Sequence, residues 1–406
     1  MANLTLPVFA RLRGQGPVFV LSLGHGATHW ITGTLYILLP LIKDSLNLSY
    51  AEAGLFLSVF HISSFVANFA SGLAVDVSGR RILVQVIALL AGAAAMLVFG
   101  MSSLYVVLCL MIGLMGAANQ AWHPGAIAYL AERYAQRRGY VLSIHAMGAN
   151  AGDALGPMVA GVLLTWLTWG NAAVISALPS IIMAVVLIAM LLPTDKAVAR
   201  ETAPMSVREY VSGYGALLKD RAVMVLAMTA AFRTMAQVGL FAFLPLYIVD
   251  VMQKSTVYTG AALMIIQLGG LVASPIAGLW SDRIGRRPIV FGALGVSSAL
   301  IVALTFIADA TFYVAGISLL GFFLFSIRPV VQSWMMDLVP SRFAGSATSL
   351  MFGTQSILGA LAPILGGLIA DRYGLVTVFY WLATVILFAN VLVLLIPKPA
   401  ARPVSG

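Results

Sequence analysis

From Ile82 to Ala131 the chain contains no aspartate, glutamate, lysine or arginine, and only "GMSSLY" (100–105) and "NQAWHP" (119–124) interrupt the apolar run. A stretch of that length without charge has no wetted face. It must lie in a large core or in lipid. Composition decides between the two: 61% of the 406 residues are hydrophobic and 9% charged, with a mean hydropathy of +0.99. A soluble domain carries about 25% charged residues, so this chain cannot cover itself with a polar surface and reads as an integral membrane protein.

A helix needs about 20 apolar residues to cross the hydrocarbon core. Segmenting at charges and turn residues yields about twelve such stretches: 16–42, 50–75, 82–101, 104–132, 140–167, 171–193, 222–250, 257–281, 288–308, 311–338, 345–370 and 376–396. Barrel-type alternation is absent, and lipid offers the backbone no hydrogen-bond partners, so the expected fold is all-α. The single cysteine, Cys109, excludes an internal disulfide. The opening "MANLTLPVFARLRGQGP" has no short apolar core with a small-residue cleavage site, and the first span reads as an uncleaved anchor.

Loop charges set the orientation. Of the 23 Lys and Arg, Arg233 and Arg328 fall inside spans, and Lys43, Lys254 and Arg372 fall on one side of the membrane. All the others fall on the opposite side. By the positive-inside rule that side, with both termini, is cytoplasmic. The formal charge of +9 therefore reflects orientation in a bilayer, and no nucleic-acid partner is expected.

The chain also repeats itself. "GLAVDVSGRR" (72–81) matches "GLWSDRIGRR" (278–287), and "ALGPMVAGVL" (154–163) matches "ALAPILGGLI" (360–369), both at an offset of 206 residues. Two independent matches at one offset indicate two six-helix bundles of the same orientation, 1–193 and 222–406, joined by a cytoplasmic linker at 194–221. Parallel halves with a site between them near the midplane describe a transporter. Catalytic Ser-His-Asp order, HExxH and a P-loop are absent, so an enzyme is not expected.

The duplicated loop resembles the signature of the major facilitator superfamily, carried by Gly72, Asp76, Gly79, Arg80 and Arg81 and again by Gly278, Asp282, Gly285, Arg286 and Arg287. Physically, glycines let consecutive helices turn tightly, and the aspartate accepts hydrogen bonds from arginines or helix-end amides. Such a clasp would hold a gate and release it. Gly148, Gly152, Gly156, Pro157 and Gly161 make a smooth face on the fifth span that permits close helix packing. That run also resembles a motif of exporters in the same superfamily that exchange substrate for protons.

Ionisable groups at membrane depth are costly and are functional candidates by default. They are His25 and His29 on the first span, His61 on the second, His123 on the fourth, and His145 and Asp153 on the fifth. The second half contributes Arg233 and Arg328, with Asp337 near a cytoplasmic end. All five histidines lie in the first half and both intramembrane arginines in the second. The superfamily resemblance implies that spans one, four, seven and ten line the central cavity, which assigns His25, His29, His123, Arg233 and Arg328 to substrate binding. His123–Pro124 and Arg328–Pro329 occupy equivalent places in the two halves. Pro124 frees a backbone carbonyl beside a proton-responsive ring. Asp153, His123 and His61 are the expected proton carriers, and His145, near a helix end, reads as an interfacial histidine.

"LGHGATH", "HPGAIAYLA" and "GANAGDALGP" narrow the resemblance to the fosmidomycin-resistance branch of drug exporters, through His25, His123, Pro124, Gly156 and Pro157. The chain departs from that branch where His29 replaces a carboxylate, where Gly125 stands in place of a glutamate, and where Asp153 is added. The resulting expectation is a monomeric, proton-coupled exporter of a small organic anion, phosphonate-like compound or drug, in a bacterial inner membrane. It needs no cofactor and no resident metal. The alternative is transport of a transition metal or metal chelate on the first-half histidines, since neutral imidazoles are good ligands. A membrane enzyme or sensor ranks third.

Overall fold

The computed structural model describes residues 15–195, 215, 217–339 and 344–396, and every regular element among them is helical. In chain order these are α1 (Gly16–Ser45), α2 (Tyr50–Ser78), α3 (Arg81–Met101), α4 (Tyr105–Arg133) and α5 (Arg138–Leu163). Next comes α6, which runs in two pieces, Trp169–Ser176 and Leu178–Met190. The second half has α7 (Arg221–Leu246), α8 (Thr256–Ile284), α9 (Arg286–Leu304), α10 (Ala310–Leu338), α11 (Ala344–Tyr373) and α12 (Leu375–Leu395). Ten of these helices are long and apolar enough to cross a membrane. The other two, α1 and α5, have 30 and 26 residues; they are long enough, but they hold His25, His29, His145 and Asp153. The expected linker lies almost wholly outside the described residues, as do both termini.

Local chemistry accounts for the helix ends. Ser49 opens α2 through a reciprocal cap: its side chain accepts from Glu52 N, and the Glu52 carboxylate accepts from Ser49 N at 2.8 Å. Asp309 opens α10 by accepting from Thr311 N and Phe312 N at 2.8 and 3.0 Å. Gly79 ends α2 at φ +64° and Gly285 separates α8 from α9 at φ +95°, backbone conformations that suit glycine. The tight-turn role expected of all the motif glycines thus belongs to these two only. Gly278 lies inside α8, and a Cβ added there would meet nothing within 4 Å. Gly72 also falls within a helix, α2; its surroundings and those of Asp76 lie outside the described residues.

Packing groups the chain into two compact units. The first takes the described residues of Met1–Glu201 together with Phe241–Leu268 and Pro363–Leu375. The second takes those of Thr202–Leu240, Gly269–Ala362 and Val376–Gly406.

Inside the first unit, backbones approach closely where glycine omits a side chain. A Cβ on Gly26 would stand 2.8 Å from the Gly148 carbonyl oxygen, and one on Gly156 would stand 2.8 Å from that of Trp30. On Gly152 it would collide with the Gly26 carbonyl. The smooth face of α5 is therefore a seam against α1. The same device joins α5 to α8, where Thr256 Oγ1 donates to the Gly161 carbonyl at 3.0 Å, and α2 to α11, where a Cβ on Gly367 would lie 2.5 Å from the Tyr50 carbonyl oxygen. In the second unit, a Cβ on Gly269 of α8 would lie 2.5 Å from the Ser318 carbonyl oxygen of α10, and Ser298 of α9 donates to the Ala383 carbonyl of α12 at 2.9 Å.

Candidate functional site

The α1–α5 seam brings polar side chains together. His25 and His29 stand one turn apart on α1, and α5 approaches closely enough for Asp153 Oδ1 to lie 3.0 Å from His29 Nδ1. From α4, His123 aims its Nε2 at His25 Nε2 across 3.2 Å. His145 of α5 is buried between helices: it is 3% exposed and lies flat on His25, with ring centroids 4.1 Å apart and 14° between planes. The glycine seam draws that part of α5 close against α1. Trp122, fully buried, lies nearly parallel to both rings, 6.4 Å from His25 and 6.3 Å from His145.

Both rings of the facing pair are anchored at their other nitrogen. His25 Nδ1 donates to the His145 carbonyl at 2.9 Å, and His123 Nδ1 donates to the Asn119 carbonyl at 3.1 Å. A carbonyl oxygen only accepts, so each Nδ1 carries the hydrogen. Helix α4 runs unbroken through Pro124, and His123 anchors within its own preceding turn. His61 stands apart on α2, edge-on to Phe60 at 5.5 Å, with its Nε2 buried and no hydrogen-bond partner among the described residues.

The second unit holds the guanidinium groups. Arg233 on α7 is 4% exposed; it donates to the Leu324 carbonyl at 3.3 Å and to Thr234 Oγ1 at 3.2 Å. Thr234 in turn donates to Gln355 Oε1 of α11 at 2.8 Å. Arg233 and Arg328 line one cavity of about 250 Å³, open mouth included, whose other polar lining is the neutral pair Gln332 and Gln355. Asp337 is engaged elsewhere. It accepts from Arg286 Nε at 3.2 Å, while Arg286 Nη1 donates to Ser281 Oγ at 2.6 Å and to the Asp282 carboxylate.

The duplicated motif therefore forms a clasp in its second copy, with Arg287 donating to the Leu394 carbonyl as well. In the first copy Arg81 pairs with Glu132 of α4 at 2.5 Å and Arg80 is exposed. Sequence reasoning missed another cluster at the opposite ends of the helices, in the first unit. Lys43 Nζ lies 2.7 Å from Asp44 and 3.2 Å from Asp250, and Tyr50 Oη donates to Asp250 at 2.8 Å. Asp371 of α11 accepts from the backbone N–H groups of Tyr50 and Ala51 at 2.8 and 3.0 Å. Asp250 sits in a π-helical turn, Tyr247–Val251, that ends α7. The five side chains come from four different helices, so no local motif announces the cluster.

Known proteins share this architecture. The chain is 24% identical over 373 residues to the MFS-type transporter YwoD of Bacillus subtilis, covering 79% of this chain and 82% of that one. It is 23% identical to a probable hexose phosphate transport protein of Chlamydia trachomatis, covering 81% and 79%. It is 21% identical to the fosmidomycin resistance protein of Escherichia coli, covering 85% and 84%. Among solved structures, the nucleoside transporter NupG superposes with a TM-score of 0.78 at 16% identity, covering 95% of this chain and all of that one. These likenesses are to transporters and not to enzymes. The model of the Major Facilitator Superfamily matches residues 21–361 and 255–406, and the chain is a membrane transporter that belongs to that family.

Proposed function

We propose that the protein exports a small organic anion in exchange for protons by alternating access, with 1–193 and 222–406 as the two moving bundles and 194–221 as their tether. The observation that carries this reading is the Arg233–Arg328 cavity. Two guanidinium groups on one wall offer donors to an anion, and the other polar lining residues, Gln332 and Gln355, carry no charge. A phosphate, phosphonate or carboxylate accepts bidentate hydrogen bonds from such groups. A relative named for hexose phosphate transport and another named for fosmidomycin resistance agree with an anionic cargo and with export. The reading places the chain as a monomer across a bacterial inner membrane, with both termini in the cytoplasm.

The purified protein tests the cavity. In a thermal-shift screen of sugar phosphates, phosphonates, organic cations and neutral nucleosides, the anions should stabilise it. Each hydrogen bond to a charged group is worth about 1.5–3 kcal/mol, so Arg233→Ala and Arg328→Ala should each weaken anion binding by roughly one to two orders of magnitude. Equal responses to anions in wild type and both variants would remove the site. Coupling is tested in proteoliposomes: anion flux should fall when the pH gradient is collapsed, and flux indifferent to the gradient would exclude proton exchange.

A further inference from the structure

We infer that His25, His29 and His123 form a binding site for a divalent transition-metal ion of borderline softness, such as zinc, nickel or cobalt, with Asp153 orienting His29. The inference stands on the first unit alone and does not depend on the anion reading. It assigns His123 and Asp153 to a metal site instead of the proton-carrying role expected from sequence.

The argument begins with hydrogens. His25 and His123 each commit Nδ1–H to a backbone carbonyl, at 2.9 and 3.1 Å. Each neutral ring then presents a bare lone pair at Nε2, and these two lone pairs face each other at 3.2 Å. Two bare acceptors at that distance repel, so the pair holds either a shared proton or a metal ion between them. A tetrahedral zinc ion with Zn–N bonds of about 2.0–2.1 Å holds its nitrogens roughly 3.3–3.4 Å apart. The facing pair already has that spacing to within a few tenths of an ångström.

His29 supplies the third ligand. One ring nitrogen from each of the three histidines lies within 4.8 Å of the others. His29 Nδ1 lies 3.0 Å from Asp153 Oδ1, and both His29 ring nitrogens are buried without a hydrogen-bond partner among the described residues. In His25 and His123, then, Nδ1 is held by a carbonyl and Nε2 remains for a ligand, and in His29 both ring nitrogens remain. Metal-binding histidines show this arrangement, in which the outer hydrogen bond sets tautomer and direction. Nitrogen-rich sites suit zinc, nickel and cobalt. His145 is not a ligand; its flat stack on His25 presents a ring face and holds the His25 plane in place.

The test uses the full-length protein in detergent, stripped of metal and titrated with zinc by calorimetry and with cobalt(II) by visible absorption. One ion per chain is expected, with the intense d–d bands of a four-coordinate nitrogen-ligated cobalt. His25→Gln and His123→Gln should abolish both signals. Asp153→Asn should weaken binding about 10- to 100-fold. Cys109→Ser should change nothing, which separates the site from the thiol. Should a histidine variant fail to fold, the wild-type cobalt spectrum together with Asp153→Asn still decides the matter. A flat titration of folded wild type with zinc, nickel and cobalt overturns the inference, and so does stoichiometric binding that survives His123→Gln. Anion binding at Arg233 and Arg328 is measured separately, so either reading can fail alone.

Discussion

Arg286 gathers two carboxylates and a hydroxyl, whereas the other copy of its motif closes through Arg81 and Glu132. Exposed ion pairs of this kind are worth about 0–1 kcal/mol each, so the clasp is weak enough to release during a transport cycle. Removing it should therefore change the thermal midpoint little. Gly285 differs, because at φ +95° and ψ 156° it holds a conformation almost confined to glycine, and forcing a side chain into it costs roughly 1–3 kcal/mol. Thermal unfolding in one detergent should rank Gly285→Ala as more damaging than Arg286→Ala. The reverse order would make the ion pairs the principal hold on this turn.

At the scale of helices, the α1–α5 seam explains why a functional cluster exists at all. Gly152→Leu would push a side chain into the Gly26 carbonyl, and overpacking of this kind costs about 1–3 kcal/mol. The variant should lower the unfolding temperature and, by parting α1 from α5, separate His29 from Asp153. Gly278→Ala, where space is open, should leave stability unchanged or slightly raised. The spacing of Gly148, Gly152 and Gly156 announces a packing face in the sequence, and His25 with His29 announces a polar side of α1. Neither names its partner. The meeting of His29 with Asp153, and of His25 with His145, depends on two helices more than a hundred positions apart in the chain, and local periodicity carries no information across that distance. The same limit hid Asp371 and Asp250. Helix positions, by contrast, depend on runs of apolar residues and on local caps such as Ser49 and Asp309, so they were readable within a few residues of each end.

For the molecule as a whole, the sequence places Lys43, Lys254 and Arg372 on the sparsely charged side of the membrane. Lys43 carries its own compensation in Asp44 and Asp250. If the orientation is as the loop charges imply, a cysteine placed at Gln253 should react with an impermeant maleimide in whole cells, and one placed at Arg80 only after permeabilisation. The opposite pattern would invert the topology. At this same end Asp371 caps the start of α2, where an anion is favoured by the helix dipole. Asp371→Ala should speed hydrogen exchange at the Tyr50 and Ala51 amides while leaving the interior of α12 unaffected; equal protection in both proteins would show that the cap is dispensable. The π turn of Tyr247–Val251 gives this end a peculiar sensitivity to length. Excising one residue there would restore an ordinary coil and, at 3.6 residues per turn, swing the Asp250 carboxylate by about 100°. The lysine and the tyrosine hydroxyl would both lose their common anchor, so an indel at this spot should act as a doorstop removed, with no change to any residue that touches cargo.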